Sequence, residues 1–252
     1  MKISVITVCY NSAETIQDTL TSIASQDYPD VEHIVIDGGS KDDTLEMVNA
    51  ASSVKRFVSE PDNGIYDAMN KGIAMATGDI VGTLNADDFY IDNTVLSQVA
   101  NVFSDPSVDV CYADLVYVYA KNTSRILRYW QSRPFEQGLF KKGWMPAHPT
   151  FFVRREVYEQ WGNFNLDFPR QADFELTMRF LEINQLKSVY IPRVWVRMRA
   201  GGASNNSIRG IIKGNIEAYH ACKLHRLEVG PFFIARKIFS RIPQFFRRAE
   251  LR

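Results

Sequence analysis

Gly78-Asp79-Ile80-Val81-Gly82-Thr83-Leu84-Asn85-Ala86-Asp87-Asp88-Phe89 is the stretch on which the reading of the fold turns. Its apolar run, residues 80–84, predicts a buried strand, and the strand runs straight into Asn85, Asp87 and Asp88. In an open α/β sheet, ligands bind outside the carboxyl ends of the strands. Two acids and an amide there form a hard-oxygen site suited to magnesium or manganese bridging a diphosphate. The alternative is an acidic turn capping the next helix, because Asp and Asn favour turns and N-caps.

Upstream, the same grammar repeats. Apolar strands are expected at residues 3–9, 33–36 and 56–59, alternating with helices at 13–25, 42–50 and 64–76. Helical spacing of Ile16, Leu20 and Ile23, and of Ile65, Ala68, Met69, Gly72, Ile73 and Ala76, supports the first and third helices. Ser40 is a plausible N-cap for the second. Alternating βα units imply a parallel sheet with right-handed crossovers. After Asp92 the rhythm changes: a helix at 94–103, a strand at 108–118, a basic and aromatic loop at 125–142, a strand at 150–153, helices at 155–161 and 172–181, and a segment at 186–196 that closes the core. Residues 201–207 read as a polar loop and 208–252 as mostly helical.

The 252 residues are 46% apolar and 23% charged, ordinary for a globular protein, and 29 basic residues balance 29 acidic ones. That balance names no partner, and no nucleic acid is expected. Cys9, Cys111 and Cys222 are odd in number and far apart, so neither a disulfide framework nor a zinc site follows, and a reducing cytoplasm is the default. No apolar run approaches the roughly 18 residues of a membrane span.

Four successive strands end in acids or amides: Thr7 and Asn11 flank the end of the first, Asp37 ends the second, Asp62 follows the third, and Asn85 and Asp87 follow the fourth. On one edge of a parallel sheet these groups converge. There is no Gly-x-Gly-x-x-Gly and no Walker Lys, so phosphates need another neutraliser, which a metal on Asp87 would supply.

With these motifs in view, the chain resembles the inverting glycosyltransferases of family 2, which have the GT-A fold. The resemblance lies in residues 4–11 (SVITVCYN), 35–44 (VIDGGSKDDT), 64–72 (GIYDAMNKG) and 84–88 (LNADD), and extends over about residues 1–196. It implies an α/β fold in which a Rossmann-like, mostly parallel nucleotide-sugar half (residues 1–100) is fused to an acceptor half (101–200), followed by a helical, amphipathic C-terminal segment (208–252). It further implies that Thr7, Asn11, Asp37, Asp62, Lys71, Asn85 and Ala86 serve the nucleotide donor. Asp87 would hold Mn2+ or Mg2+, and Asp173 would act as the general base. Three positions depart from the family pattern. Asn85 replaces the first Asp of the Asp-x-Asp motif, Ala172 stands where an acid usually precedes Asp173, and Met69 replaces an Arg near the diphosphate, for which Lys71 is a candidate substitute.

Inverting sugar transfer passes through an oxocarbenium-like state and needs one carboxylate to take the acceptor proton, with no enzyme nucleophile. His148 and Trp144 are candidates for the acceptor or diphosphate site; a structural His and a core Trp are the competing readings. From Pro231 onward, Arg and Lys are interleaved with Phe and Ile, with one acid, Glu250. Such a segment either lies in an anionic membrane interface or packs its apolar face on the domain. The expectation is a cytoplasmic enzyme, peripheral on the inner face of the plasma membrane, moving a sugar from a nucleotide donor, UDP-hexose by preference, to a polyprenyl-diphosphate-linked glycan of O-antigen, capsule or exopolysaccharide type. A nucleotidylyltransferase is disfavoured by residues 10–14 (YNSAE), which lack its Gly-rich, Arg-containing loop; a catalytically inactive nucleotide-binding module stays open.

Overall fold

The computed structural model describes residues 1–201, 208–247 and 249. The first half contains β1 (Ile3–Cys9), α1 (Ile16–Ala24), β2 (Val31–Asp37), α2 (Thr44–Ala50), β3 (Val54–Ser59), α3 (Ile65–Met75) and β4 (Ile80–Thr83). A two-residue β5 (Phe89–Tyr90) and α4 (Val95–Phe103) lead into the second half. That half is β6 (Val110–Tyr119), β7 (Asn122–Trp130), β8 (Phe152–Arg154), α5 (Arg155–Trp161), α6 (Ala172–Met178) and β9 (Ser188–Arg199). Two further helices follow, α7 (Ile208–Leu224) and α8 (Phe233–Phe239).

All nine strands join one sheet in the order β3-β2-β1-β4-β8-β6-β9-β5, with β7 on β6. The first four are parallel, with β1 between β2 and β4. Strand order reverses there, making the crevice between the ends of β1 and β4 the switch point at which α/β sheets bind ligands. Antiparallel β8 then couples the parallel unit to the second half. The architecture is GT-A, a mostly parallel sheet curling into an acceptor-side extension.

Two departures from the sequence reading have plain physical causes. Residues 125–130, expected in a loop, belong to β7, which forms a hairpin with β6 across Ala120 and Lys121. Its polar residues obscured the strand period, yet two of them are stacked cations: Arg125 lies 4.7 Å from the Tyr119 ring centre and Arg128 3.9 Å from that of Tyr117. Ser40 does not cap α2; its hydroxyl turns back to Asp37, and Asp43 occupies the N-cap position. The loop expected at 201–207 falls, from 202 on, outside the described residues, as do Arg248 and residues 250–252 of the tail.

The sheet's faces are covered by amphipathic helices. α3 buries Ala68, Met69, Gly72 and Ile73, and Gly72 is required by contact: a Cβ there would stand 2.4 Å from Ile6 Cγ2. α6 buries Phe174, Leu176 and Met178 in the same cluster that receives Ala218, Ala221 and Cys222 from α7 and Phe233 just at the start of α8. The C-terminal helices therefore complete the core beneath α6. Glu175, 1% exposed, fastens them: Arg179 Nε binds its Oε1 at 2.9 Å and His225 Nε2 at 2.6 Å. Burial raises the Glu175 carboxyl, but hydrogen bonds from His225 and Arg179 outweigh it and leave the group ionised more readily than usual.

Candidate active site

At the ends of the first four strands, most of the polar groups expected to serve the donor are tied to one another. Thr7 is fully buried, its hydroxyl 3.0 Å from His33 Nε2. Asn11 has a left-handed φ of 47°, its N–H donates to Ser40 Oγ at 2.7 Å, and its Oδ1 accepts the Lys41 N–H at 2.8 Å. Asp37 is also fully buried, and accepts from Gly39 N–H and Ser40 N–H at 2.9 Å each, from Ser59 Oγ at 2.7 Å, and from the Ser40 hydroxyl. Burial pushes its carboxyl upward, but the Ser40, Ser59 and backbone donors pull harder, and its pKa falls below the ordinary 3.8. Asp62 Oδ1 accepts the Gly64 N–H at 2.8 Å, and its Oδ2 lies where only Gly38 fits, 2.6 Å from the Cβ any other residue would bring. Tyr10, 61% exposed, flanks the same glycine.

At the end of β4, Thr19 Oγ1 donates to the carbonyl oxygens of Asp88, at 2.6 Å, and Asn85, at 3.3 Å. Ala86 is buried, its N–H on Val8 O at 3.2 Å. Asp88 is buried and accepts the Arg199 N–H at 3.2 Å. The Arg199 guanidinium holds the Asp87 carbonyl at 2.8 Å and pairs with Asp18. Among the described residues the carboxylate of Asp87 has no side-chain hydrogen bond or ion pair; burial raises its pKa, against the pull of its own backbone N–H and of Arg199. Asn85 Oδ1 is buried with no hydrogen-bond partner. Among the described residues no three His, Cys, Asp or Glu converge. One carboxylate beside one unpartnered amide oxygen suits a hard divalent cation that draws most of its oxygens from a diphosphate and water, the way Mg2+ is commonly held. Lys71 lines neither cavity described below. Its ammonium meets Glu60 at 2.8 Å and Asp67 at 3.8 Å.

A cavity of about 130 Å3 brings together Asn85, Tyr66, His148, Arg170, Asp173 and Arg241. Asp173 opens α6. Its Oδ1 accepts the Phe174 N–H at 2.8 Å, and its Oδ2 lies 3.2 Å from His148 Nδ1, without hydrogen-bond alignment. Burial together with the charge of the Asp173 carboxylate raises the Tyr66 phenol's pKa well above its usual value. Burial lowers the pKa of His148, against the pull of Asp173 and with a further push from Arg241, so the ring is neutral at pH 7. Ala172, where the resemblance implies an acid, is fully buried in the main core, a place that suits a small apolar side chain. Trp144 packs among Phe140, Tyr112 and Phe135, at 5.5, 6.2 and 6.2 Å between ring centres, and lines a neighbouring cleft instead of this cavity.

Among the cavity residues that escaped sequence reasoning are Tyr66, Arg128 and Arg241. Tyr66 stands inside the 64–72 motif but carries no charge to flag it. The two arginines come from a hairpin read as a loop and from the tail.

A sequence model of Glycosyl transferase family 2 matches residues 4–162. The chain is 31% identical over 211 residues to a PGL/p-HBAD biosynthesis glycosyltransferase of Mycobacterium tuberculosis, covering 81% of this chain and 79% of that one. Its fold matches residues 1–349 of S. aureus TarS, solved in complex with UDP-GlcNAc, at a TM-score of 0.64 and 19% identity, over 98% of this chain and 75% of that one. It spans 44% of a longer TarS chain, at a TM-score of 0.66. The mannosyltransferase PcManGT from Pyrobaculum calidifontis, in complex with GDP-Man and Mn2+, matches at 0.64 and 20% identity, over 94% and 69%.

Proposed function

Given that this chain belongs to glycosyl transferase family 2, we propose that it is an inverting, metal-dependent enzyme. It moves a hexose from a UDP-sugar to a hydroxyl of a glycan carried on polyprenyl diphosphate, in bacterial O-antigen, capsule or exopolysaccharide synthesis. The observation that carries this is the cavity in which Asn85, from the donor side, meets His148 and Asp173. UDP-GlcNAc in one structural neighbour, and GDP-Man with Mn2+ in another, support a nucleotide-sugar donor and a divalent ion.

In this reading the acceptor hydroxyl lies against Asp173, which takes its proton as the oxygen attacks the anomeric carbon from the face opposite the diphosphate. The Phe174 N–H holds the carboxylate, Tyr66 lines the cavity with it, and the neutral His148 ring keeps its free edge turned toward it. One displacement with one carboxylate inverts the configuration. Asp87 and Asn85 would hold Mn2+ or Mg2+, which when bound offsets the charge developing on the leaving diphosphate. Thr7, Asn11, Asp37 and Asp62 shape the nucleotide end through the turns they brace.

The C-terminal segment divides its faces. Phe233 and Lys237 point into the domain, at 2% and 1% exposed, whereas Phe232, Phe239, Ile242 and Phe246 face out beside Arg236 and Arg247. Among the described residues no helix is long and apolar enough to cross a membrane. An outward aromatic and basic face supports peripheral contact with anionic lipid on the cytoplasmic leaflet.

A thermal-shift screen of nucleotide sugars with and without Mn2+, followed by transfer to a prenyl-diphosphate-linked glycan, tests the reading. A UDP-hexose should raise the unfolding midpoint by linkage and be consumed with the acceptor present. If no nucleotide sugar stabilises the protein in either condition, the reading fails.

A further inference from the structure

Between the C-terminal segment and the chain from Trp130 to Met145 lies a cleft of about 610 Å3. It adjoins the catalytic cavity through a wall that both share, formed by Trp130, Met145 and Arg241. Its charge is one-sided. Arg133, Lys237, Arg241 and Arg247 line it, and among the described residues no Asp or Glu does.

These cations are poorly balanced. Arg133 pairs with Glu136 at 2.9 Å on the surface. Arg247 Nη1 donates to Gln131 Oε1 at 2.8 Å, a neutral partner. Lys237, fully enclosed, donates to Gln171 Oε1 and stands 4.3 Å from the Phe174 ring centre. Burial and the nearby Arg241 push its ammonium down to about 7, despite the pull of Asp173. Burial also lowers the pKa of Arg128, on the cavity side; Tyr117 opposes that shift and Arg241 adds to it. Clustered cations in a walled cleft raise the local potential and favour an anion. A buried donor without a partner, the Trp144 indole N–H, belongs to the same wall.

We propose that this cleft binds the diphosphate of the sugar acceptor, with Arg133 and Arg247 around the phosphate oxygens and Arg241 at the junction with the cavity. The proposal rests on the glycosyltransferase reading and extends it to the acceptor. Guanidinium groups suit phosphate because their N–H forks match its oxygens in pairs. The donor's own diphosphate belongs elsewhere: none of Asn11, Asp37, Asp62, Asn85 and Asp87 lines the cleft. Because cleft and cavity share a wall, the acceptor that fits carries its reacting sugar close to its diphosphate. The C-terminal segment is then half of the acceptor site.

Calorimetry on the full chain tests this, with saturating UDP present so that the donor site is filled. UDP affinity is measured first, so a failure of the donor reading is seen separately. Inorganic pyrophosphate should bind to the UDP complex. Arg247→Gln and Arg241→Gln should each weaken that binding by about tenfold or more, the worth of a charge-assisted hydrogen bond. Arg193→Gln, exposed and outside the cleft, should leave it unchanged. Arg247 is itself exposed, so its variant should keep the wild-type melting midpoint and UDP affinity. Farnesyl diphosphate, titrated in parallel, distinguishes the sources of the anion: tighter binding than pyrophosphate assigns a lipid-linked acceptor, equal binding a soluble sugar diphosphate. Absence of pyrophosphate binding beside UDP overturns the proposal, as does binding indifferent to both cleft arginines or equally weakened by Arg193→Gln.

Discussion

The two ends of this site hold their carboxylates in opposite ways. Asp37, at the donor end, has both oxygens consumed by two backbone N–H groups and two serine hydroxyls. Asp173, at the acceptor end, gives one oxygen to the next residue's N–H and turns the other toward His148 at the cavity wall. The first arrangement builds a turn and the second leaves a carboxylate oxygen facing the cavity. An acid at the end of a strand or the start of a helix is therefore not one kind of residue. Its unspent lone pairs decide whether it braces the site or reacts in it.

The largest effect expected from this contrast is at Asp173. Asp173→Asn keeps shape and an oxygen for the Phe174 N–H but removes basicity. Turnover should fall on the order of 100-fold or more, as for lost general-base catalysis, with UDP-sugar affinity nearly intact. Near-normal transfer by the variant, measured with a competent acceptor, would reduce Asp173 to an N-terminal brace and collapse the contrast. Asp87 lies between the two cases, half-buried with its carboxylate uncommitted. Asp87→Ala should abolish the response of transfer to added Mn2+ and weaken UDP-sugar binding, while UMP, which lacks the diphosphate, binds as before. An unchanged Mn2+ response would move the metal elsewhere.

The donor half was legible because βα alternation and short motifs act locally: each strand-end acid sits within a few residues of the turn it serves. The position of Asp173 was legible for the same reason, at a helix start. The missing part is non-local. Arg128 reaches the cavity only because β7 folds back on β6, and its stacking on Tyr117 leaves no pattern along the chain. Arg241 reaches it because Phe233 and Lys237 anchor the tail below α6, some 60 residues downstream of Asp173 in sequence, a contact that only closure of a long loop brings about. The tail's amphipathic pattern was visible, but periodicity alone could not say which apolar residues pack on the domain. The answer is that both surfaces of the segment are apolar, one buried at Phe233 and one exposed at Phe239 and Phe246.

That division gives the next test. Phe239→Ser with Phe246→Ser changes two side chains that are 64% and 82% exposed, so the fold should be unaffected. If they insert into lipid, each is worth up to about 1.5–3 kcal/mol of apolar transfer, and the double variant should largely lose co-sedimentation with anionic liposomes. High salt should weaken binding of the parent chain through its arginines. Equal sedimentation of variant and parent would leave the outer face without a lipid role.

Asp37 yields a smaller and differently shaped effect, on stability against pH. Its folded pKa lies below the ordinary 3.8, so its contribution is complete above that value and is lost as pH falls through the folded one. Asp37→Asn should remove this share of the acid dependence, and lower stability at pH 7 by about 1–3 kcal/mol for hydrogen bonds to a lost charge. Urea titrations at neutral and acid pH read both. If Asp37→Asn instead leaves stability intact and weakens UDP affinity alone, Asp37 touches the nucleotide directly and belongs with Asp173 among the uncommitted acids.

Lys71 should give the smallest effect, and for that reason it sharpens the donor half most. It is the one basic side chain among the expected donor residues, and its ammonium is already met by Glu60 and Asp67 at the rim, with the Pro61 carbonyl at 3.1 Å. The Glu60 hydrogen bond raises its pKa, burial opposes, and the charges of Glu60 and Asp67 add to the rise, so it stays a cation throughout the working range. An exposed pair of this kind contributes little to stability. Lys71→Met should therefore leave the melting midpoint unchanged within error. Its effect on UDP-sugar affinity then reads diphosphate contact without interference from folding. A loss of affinity would mean that the lysine leaves Glu60 for the donor phosphates and stands in for the arginine replaced by Met69. Unaltered affinity would leave neutralisation of the donor diphosphate to the ion on Asp87, with no cation supplied by α3.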